Sequence, residues 1–161
     1  MDPTQRFEQL AELAGPVLSA VIRRFVRDSG AAEEVLQDVL LEVWRRLDDL
    51  DPKRDPMPYL RKLAVSRSID WLRRRPGFAL DGASAAEELA APVPAATRLE
   101  ADLSALPDHE RAAILLYYQE QHSVAEIATI LQASVSAVKV WLFRARAKLR
   151  PQFEREARGS K

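Results

Sequence analysis

The sequence predicts an all-α protein made of two small helical domains joined by a flexible linker. Apolar residues recur at the spacing of amphipathic helices through most of the chain. Glycine is scarce, at 5 of 161 residues, which favours helices over sheets. Prolines and small residues gather in residues 76–96, where no amphipathic period is visible. We therefore predict domains at residues 1–75 and 97–161, with 76–96 as the linker.

The first domain is predicted to hold three helices, at residues 7–25, 31–47 and 59–75. The segment Asp28-Ser29-Gly30 is expected to end the first helix. The second helix carries one apolar stripe from Val35 to Leu47, which marks its buried face. The stretch before the third helix contains two aspartates that precede prolines and are therefore biased away from helix.

The second domain is predicted to end in a helix-turn-helix. Helices are expected at residues 99–106, 109–120, 124–131 and from 135 to at least 149. Asp108 is the expected N-cap of the second of these, and Ser123 with Glu126 has the spacing of a capping box. Gln132 lies in a tight turn, and Ser134 caps the long basic final helix. A short capped helix, a turn and a longer basic helix are typical of DNA-binding motifs.

Charge is segregated along the chain although the formal net charge is zero. Residues 59–75 carry a net charge of +5, residues 111–161 carry +5, and residues 76–110 carry −6. Two basic segments around an acidic one indicate two anion-binding surfaces. The first basic segment also contains Tyr59 and Trp71, and cations with aromatic rings suit single-stranded or melted nucleic acid. A solvated basic helix face explains that segment equally well.

Several functional classes find no support in the sequence. The chain has no cysteine, which excludes disulfides and thiolate chemistry. His109 and His122 do not have the spacing of a metal site, and no glycine-rich phosphate loop or nucleophile elbow is present. We predict no catalytic residues, no metal and no cofactor. With neither a signal peptide nor a long apolar segment in view, we expect a soluble cytoplasmic protein.

Glu34, Asp38 and Glu42 follow one another at four-residue spacing on the second predicted helix. Such spacing places side chains on one helix face. The face has three interpretations: a solvated surface, a docking surface for a basic partner, or a divalent metal site. Spacing by itself slightly favours the solvated surface.

The final helix divides into two faces when its residues are placed about 100° apart. The predicted core stripe comprises Val138, Leu142, Ala145 and Leu149. The predicted outward face comprises Ser136, Val140, Phe143 and Ala147, flanked by Lys139 and Arg144. Trp141 is expected to lie half-buried at the edge of the core. Outward apolar groups beside cations suit a DNA groove, and a second face packed on another helix or partner protein is the alternative.

The two modules together resemble one family, the extracytoplasmic function (ECF) sigma factors of bacterial RNA polymerase. The segment "AAEEVLQDVLLEVWRRLDDLDP" resembles the second conserved region of the family, and "YLRKLAVSRSIDWLRRR" resembles its promoter-melting helix. The segment from "LSALPDHERAAILLYYQ" to "VKVWLFRARAKLR" resembles its C-terminal helix-turn-helix domain. The order of these segments across a short linker is specific to the family.

The resemblance implies the partners and the site residues. The first domain would bind the clamp helices of the largest subunit of core RNA polymerase and melt the −10 element of promoter DNA. The second would read the −35 duplex and dock on the flap of the second large subunit. The implied polymerase-binding residues are Glu34, Gln37, Asp38 and Leu41. The implied −10 residues are Tyr59, Arg61, Lys62, Ser66, Arg67, Trp71 and Arg74. The implied −35 residues are Ser136, Lys139, Val140, Phe143 and Arg144.

Some residues depart from the family pattern. Ser66 stands at the usual asparagine of a loop that captures a flipped base, which leaves fewer hydrogen bonds for base discrimination. Gln132 replaces a turn glycine, at a cost of about 1 kcal/mol if its φ is positive. Val140-Trp141 replaces a polar residue and an arginine. Changing the pair to Ser-Arg is therefore expected to strengthen DNA binding and steepen its salt dependence.

Rival functions remain at this point. One is a stand-alone helix-turn-helix regulator, another is a sigma-like protein-interaction module without promoter activity, and a metal-dependent enzyme is a distant third. The Glu34, Gln37 and Asp38 face distinguishes the first rival, since only a sigma factor needs it. The linker acids Asp81, Glu87 and Glu88 are hypothesised to mimic RNA near the polymerase exit region. An anti-sigma factor is a further expected partner.

Overall fold

The computed structural model describes residues 1–78 and 103–159, with the backbone alone for residues 152–157. Its helices are α1 Pro3–Phe25, α2 Ser29–Arg45, α3 Met57–Arg74, α4 Asp108–Tyr118, α5 Val124–Leu131 and α6 Val135–Gly159. No strand occurs in the described ranges, so the predicted all-α class is confirmed. The chain forms two compact units, Met1–Leu72 and Arg73–Lys161. Most of the predicted linker and the first half of the predicted helix at 99–106 lie outside the described residues, and Leu103–Ala105 in its second half form a short 3-10 helix.

The core of the first unit is built by the apolar faces of α1, α2 and α3. The α1 helix begins earlier than predicted, because a proline is well tolerated at a helix start. Its buried residues are Ala14, Leu18, Val21, Ile22 and Phe25. The stripe predicted on α2 is buried at Val35, Val39 and Val43. Within α3 the buried Ser68 hydroxyl donates to the Ala64 carbonyl over 2.7 Å, so this polar group is satisfied inside the core.

The junction between α1 and α2 is tighter than the sequence predicts. Asp28 was expected to belong to a terminator of α1, but its carboxylate caps α2 by accepting the Ala31 amide at 2.8 Å. Ser29 and Gly30 therefore form the first turn of α2. Aspartate is a preferred N-cap because it satisfies an amide that has no partner within the helix.

The second unit contains the predicted helix-turn-helix. Ser123 Oγ accepts the Glu126 amide at 3.1 Å, and Glu126 Oε1 accepts the Ser123 amide at 3.1 Å, which confirms the capping box. The bond from the Ser123 amide is the main reason that the pKa of Glu126 is lowered. Ser134 Oγ accepts the Ala137 amide at 3.0 Å and so caps α6 as predicted. The chain turns by 105° between α5 and α6, within the range of this motif.

The start of α4 differs from the prediction. Asp108 is the first helical residue and Pro107 occupies the N-cap position. The Asp108 carboxylate instead accepts from Arg111 Nη2 at 2.6 Å, while Arg111 Nη1 donates to the Leu106 carbonyl at 2.9 Å. Arg111 is 2% exposed, and a buried cation is stable only when its hydrogen bonds are satisfied. The Asp108 carboxylate therefore pairs with the buried Arg111 guanidinium instead of capping α4 as the sequence predicted.

Gln132 ends α5 in the left-handed region, at φ 54 and ψ 46. The condition stated for this turn, a positive φ at a residue other than glycine, is therefore met. We expect Gln132→Gly to raise the free energy of unfolding of the second unit by about 0.5–1 kcal/mol, because glycine adopts this conformation without a Cβ penalty. Urea unfolding of the full chain, monitored by hydrogen exchange of the α5 and α6 amides, measures the change. Gln132→Ala retains the Cβ and is the control; equal stability of the two variants would contradict the expectation.

Candidate polymerase and nucleic-acid surfaces

The predicted docking residues of α2 form one exposed face. Glu34, Gln37, Asp38 and Leu41 are all exposed, and Leu41 keeps 48% of its surface accessible. At about 100° per residue they fall within an arc of about 100°, opposite the buried Val39. The face combines two carboxylates with an exposed leucine. We call these four residues the docking face.

Glu42 does not belong to the docking face, although its spacing grouped it with Glu34 and Asp38. Residues four apart drift by about 40° around a helix, so the third carboxylate lies about 80° from the first. Glu42 Oε1 lies 2.6 Å from Arg46 Nε, and Glu42 Oε2 lies 3.8 Å from Arg67 Nη2 on α3. Among the side chains of residues 1–78, 103–151 and 158–159, no cluster of three or more histidine or acidic groups could hold a metal ion.

The proposed −10 residues lie along α3, which corrects the position of Ser66. Ser66 is an exposed residue in the middle of a continuous helix, not part of a loop. Tyr59, Lys62 and Ser66 fall within about 60° of one another on the helix, with Lys62 and Ser66 exposed and Tyr59 half-buried. Arg61 lies about 160° from Tyr59 and does not share this face.

Arg67 is flanked by carboxylates rather than free on the surface. Its Nη2 lies 3.8 Å from Glu42 and its Nη1 lies 3.5 Å from Asp70. Trp71 is half-buried, and Arg74 is exposed near the end of α3. Among the −10 residues of the sequence prediction, Arg67 is therefore engaged with carboxylates, and the exposed ones are Arg61, Lys62, Ser66 and Arg74.

The structure corrects the outward direction predicted for Val140. Val140 is 3% exposed and Trp141 is 1% exposed, so neither side chain is available to a DNA groove. The Trp141 ring packs against His109 of α4, with ring centroids 5.1 Å apart, and against Phe78 at 6.4 Å. Leu142 is buried as predicted. The buried surface of α6 is therefore wider than the predicted core stripe and includes both Trp141 and Val140.

The remaining outward face of α6 is narrower and more basic than predicted. Ser136, Lys139, Phe143 and Arg150 are exposed within an arc of about 60°, and Phe143 keeps 41% of its surface accessible. We call these four residues the recognition face. Arg144 is also exposed, about 80° from Ser136. Arg150 was missed by the sequence analysis, although its spacing from Lys139 and Phe143 places it on the same face.

An ion pair with one buried partner joins α6 to α4, since the Glu110 side chain is buried and the Lys148 side chain is 46% exposed. Lys148 Nζ lies 2.7 Å from Glu110 Oε2, and the Glu110 side chain is 2% exposed. Neither residue follows an apolar pattern, so hydrophobic spacing gave no signal for them. Because removal of one partner leaves a buried charge uncompensated, this pair fixes the position of the helix that carries the recognition face.

Two family models match the chain, each over one unit of this structure. Residues 10–76 match Sigma-70 region 2, and residues 97–149 match Sigma-70, region 4. The chain is 30% identical to the RNA polymerase sigma-E factor of Streptomyces avermitilis, over 92% of this chain and 85% of that protein. This chain belongs to the ECF sigma factors of the sigma-70 family.

Other sigma factors show the same relationship. The chain is 32% identical to the probable RNA polymerase sigma factor RfaY of Xanthomonas campestris, over 97% of this chain and 43% of that protein. It is 30% identical to the ECF RNA polymerase sigma factor SigK of Mycobacterium ulcerans, over 74% of this chain and 70% of that protein. It thus spans less than half of the Xanthomonas relative and most of the Streptomyces and Mycobacterium ones.

Solved structures of sigma factors are also similar. One is the sigma factor RpoE of Bartonella quintana in complex with the anti-sigma factor NepR, with 22% identity, 92% of this chain and 96% of that chain covered, and a TM-score of 0.49.

In the described ranges of this sigma factor no single helix has the length and apolar content of a membrane span. Only the bent pair Val124–Leu131 and Val135–Pro151 meets those criteria together, by length and composition alone.

Proposed function

We propose that this ECF sigma factor binds core RNA polymerase through the docking face, captures the melted −10 strand along α3 and reads the −35 duplex with the recognition face. The observation that carries the proposal is the presence of both exposed faces on one chain. The docking face offers acids and an apolar residue to a protein partner, and the recognition face offers cations and Phe143 to a groove. The chain itself performs no chemistry and supplies promoter specificity to the polymerase.

The recognition face can make both kinds of contact that duplex reading requires. Lys139 and Arg150 are placed to neutralise phosphates, which supplies affinity without sequence information. Ser136 offers a hydroxyl to base edges, and Phe143 offers an apolar surface to thymine methyl groups. The α6 helix is held at its start by the Ser134 cap and along its length by the Lys148–Glu110 pair. A fixed helix is expected to present these groups with little ordering cost on binding.

Lys139→Ala is expected to reduce the magnitude of the salt slope of promoter binding by about 0.9, because one phosphate contact to duplex DNA is lost. The measurement is the affinity of the holoenzyme for a duplex promoter fragment at several salt concentrations. Arg23→Ala removes an exposed cation at the end of α1 and is the control, with an unchanged slope expected. A Lys139→Ala slope equal to that of the unsubstituted protein would place this residue away from DNA.

Photo-cross-linking tests the proposed contacts directly. A photoreactive residue at position 143 is expected to label upstream promoter duplex in the holoenzyme, and one at position 41 is expected to label the largest polymerase subunit. The buried position 142 is the matched control on α6 and is expected to label neither. Labelling of duplex from position 143 without any polymerase labelling from position 41 would favour the stand-alone regulator. Polymerase labelling without duplex labelling would favour the protein-interaction module.

Three sequence predictions remain part of the proposal without structural description. Asp81, Glu87 and Glu88 lie outside the described residues, so their RNA-mimicking role stays a hypothesis. Neutralisation of those acids with unchanged initiation would remove it. Docking of the second unit on the polymerase flap and inhibition by an anti-sigma factor also stay predictions. The cytoplasm remains the expected location because core polymerase and promoter DNA are found there.

A further inference from the structure

The outward face of α1 carries apolar side chains that take no part in the core of the first unit. Leu13 is 73% exposed and Val17 is 38% exposed, and Pro16 and Ala20 are exposed as well. At about 100° per residue these four residues fall within an arc of about 100°, away from the buried residues of the same helix. We call them the α1 stripe. A contiguous apolar stripe of this kind marks an interaction surface, whereas single exposed apolar residues are common on any protein.

Two charges of opposite sign lie on the same side of the α1 stripe. Glu12 and Arg23 are both exposed. They are eleven positions apart in the chain, which is about three helical turns. Their directions around the helix therefore differ by only about 20°, while about 16 Å separates them along its axis. This side of the stripe is thus acidic near the start of α1 and basic near its end.

This arrangement of charge matches a second copy of the same chain in antiparallel orientation. In a two-fold symmetric pair of antiparallel helices, the same side of each helix meets, and a residue near one helix start faces a residue near the other helix end. Glu12 of each copy then faces Arg23 of the other, with the two stripes packed between the ion pairs. We propose that the free chain forms a homodimer through the α1 stripe, with Glu12 and Arg23 setting its antiparallel register.

A second copy fits this face better than a partner whose charge has one sign. A uniformly basic partner would be repelled by Arg23, and a uniformly acidic partner would be repelled by Glu12. The formal net charge of the chain is zero, so no overall repulsion opposes the association of two copies. Because the stripe is small, the dimer is weak, with a Kd on the order of 100 μM. It is therefore dissociated at the lower concentrations at which core polymerase is titrated.

Sedimentation equilibrium of the full chain, without polymerase or DNA, measures the dimer at low salt and at concentrations from about 10 μM to about 1 mM. Glu12→Arg and Arg23→Glu are each expected to raise the Kd by about tenfold or more, because each brings two pairs of like charges together across the two-fold axis. Glu33→Arg makes the same charge change as Glu12→Arg at an exposed position of α2 and should leave the Kd unchanged. Leu13→Ser is expected to raise the Kd several-fold, because less apolar surface is buried.

The exchange variant Glu12→Arg/Arg23→Glu separates the proposed register from a general effect of charge. It keeps the net charge of the chain and restores both ion pairs with their signs exchanged, so its Kd is expected within about threefold of the unsubstituted value. Failure of this variant to associate would overturn the inference. A dimer that both single charge reversals left intact would overturn it as well.

Two further results would also contradict the homodimer. One is a monomer at every concentration, and the other is protection of Leu13 from hydroxyl-radical footprinting only after core polymerase is added, which would assign the α1 stripe to the polymerase. The inference does not rest on the proposed function, because self-association requires neither polymerase nor promoter DNA. A chain that remained monomeric and still directed promoter-specific initiation would remove the homodimer and leave the proposed function standing.

Discussion

Trp141→Ala is expected to lower the free energy of unfolding of the second unit by about 3–5 kcal/mol, the cost of removing a large aromatic side chain from a packed core. Trp141 is 1% exposed and packs against the His109 ring at 5.1 Å. Its Nε1 finds no hydrogen-bond partner among the described residues, so the stabilisation comes from packing. We therefore expect Trp141→Phe to cost less than Trp141→Ala, because phenylalanine retains an aromatic ring at this site and leaves a smaller cavity. Urea unfolding with hydrogen exchange of the α4 and α6 amides measures both variants.

Phe143→Ala is the matched control, since it removes an aromatic side chain two residues away that is 41% exposed. Its effect on stability is expected to stay within about 0.5 kcal/mol. The burial of Val140 and Trp141 also overturns the gain in DNA binding that the sequence predicted for changing this pair to Ser-Arg. With both side chains buried, that change is expected to destabilise the unit rather than to strengthen DNA binding. Similar stabilities of Trp141→Ala and Phe143→Ala would contradict the expectation that Trp141 contributes to the core and Phe143 does not.

The double variant Glu34→Lys/Asp38→Lys is expected to weaken binding to core RNA polymerase by about 100-fold, or ~3 kcal/mol. The proposed partner surface is basic, and placing cations opposite cations costs several kcal/mol in a docked interface. Both positions are exposed, so the fold is expected to persist. The Kd for labelled core polymerase, measured by titration, checks the prediction.

The control for this double variant is Glu8→Lys/Glu12→Lys on α1. It makes the same change in net charge at the same four-residue spacing, and both residues are exposed. We expect its polymerase affinity to remain within a few-fold of the unsubstituted protein. Equal losses for the two double variants would mean that total charge, and not the docking face, governs the interaction.

Local features of the fold could be predicted from the sequence because they depend on residues close together in the chain. The capping box of Ser123 and Glu126, the Ser134 cap and the positive φ of Gln132 each involve groups within three or four positions. Periodicity likewise located the helices, since burial of one helix face repeats regularly. Two helix starts were predicted wrongly, because Asp28 and Asp108 each had an alternative partner.

Contacts between distant parts of the chain could not be predicted from periodicity. A helical wheel gives Val140 and Trp141 the same directions whether or not other side chains cover them. The ring that packs on Trp141 belongs to His109, which lies 32 positions earlier in the chain. Glu42 fitted an acidic stripe by spacing, but its partner Arg67 lies on another helix. A wheel assigns directions around one helix, whereas the neighbour in each direction depends on tertiary packing.

In vitro transcription with core RNA polymerase and a library of promoter sequences shows whether this protein directs promoter-specific initiation. Addition of this protein is expected to produce transcripts from templates that share a −35 element and a −10 element at fixed spacing. Phe143→Ala is expected to weaken selection at the −35 element more than at the −10 element, because Phe143 is the residue proposed to contact bases. Normal binding to core polymerase without any sequence-selective initiation would contradict the account and would make this chain a sigma-like interaction module.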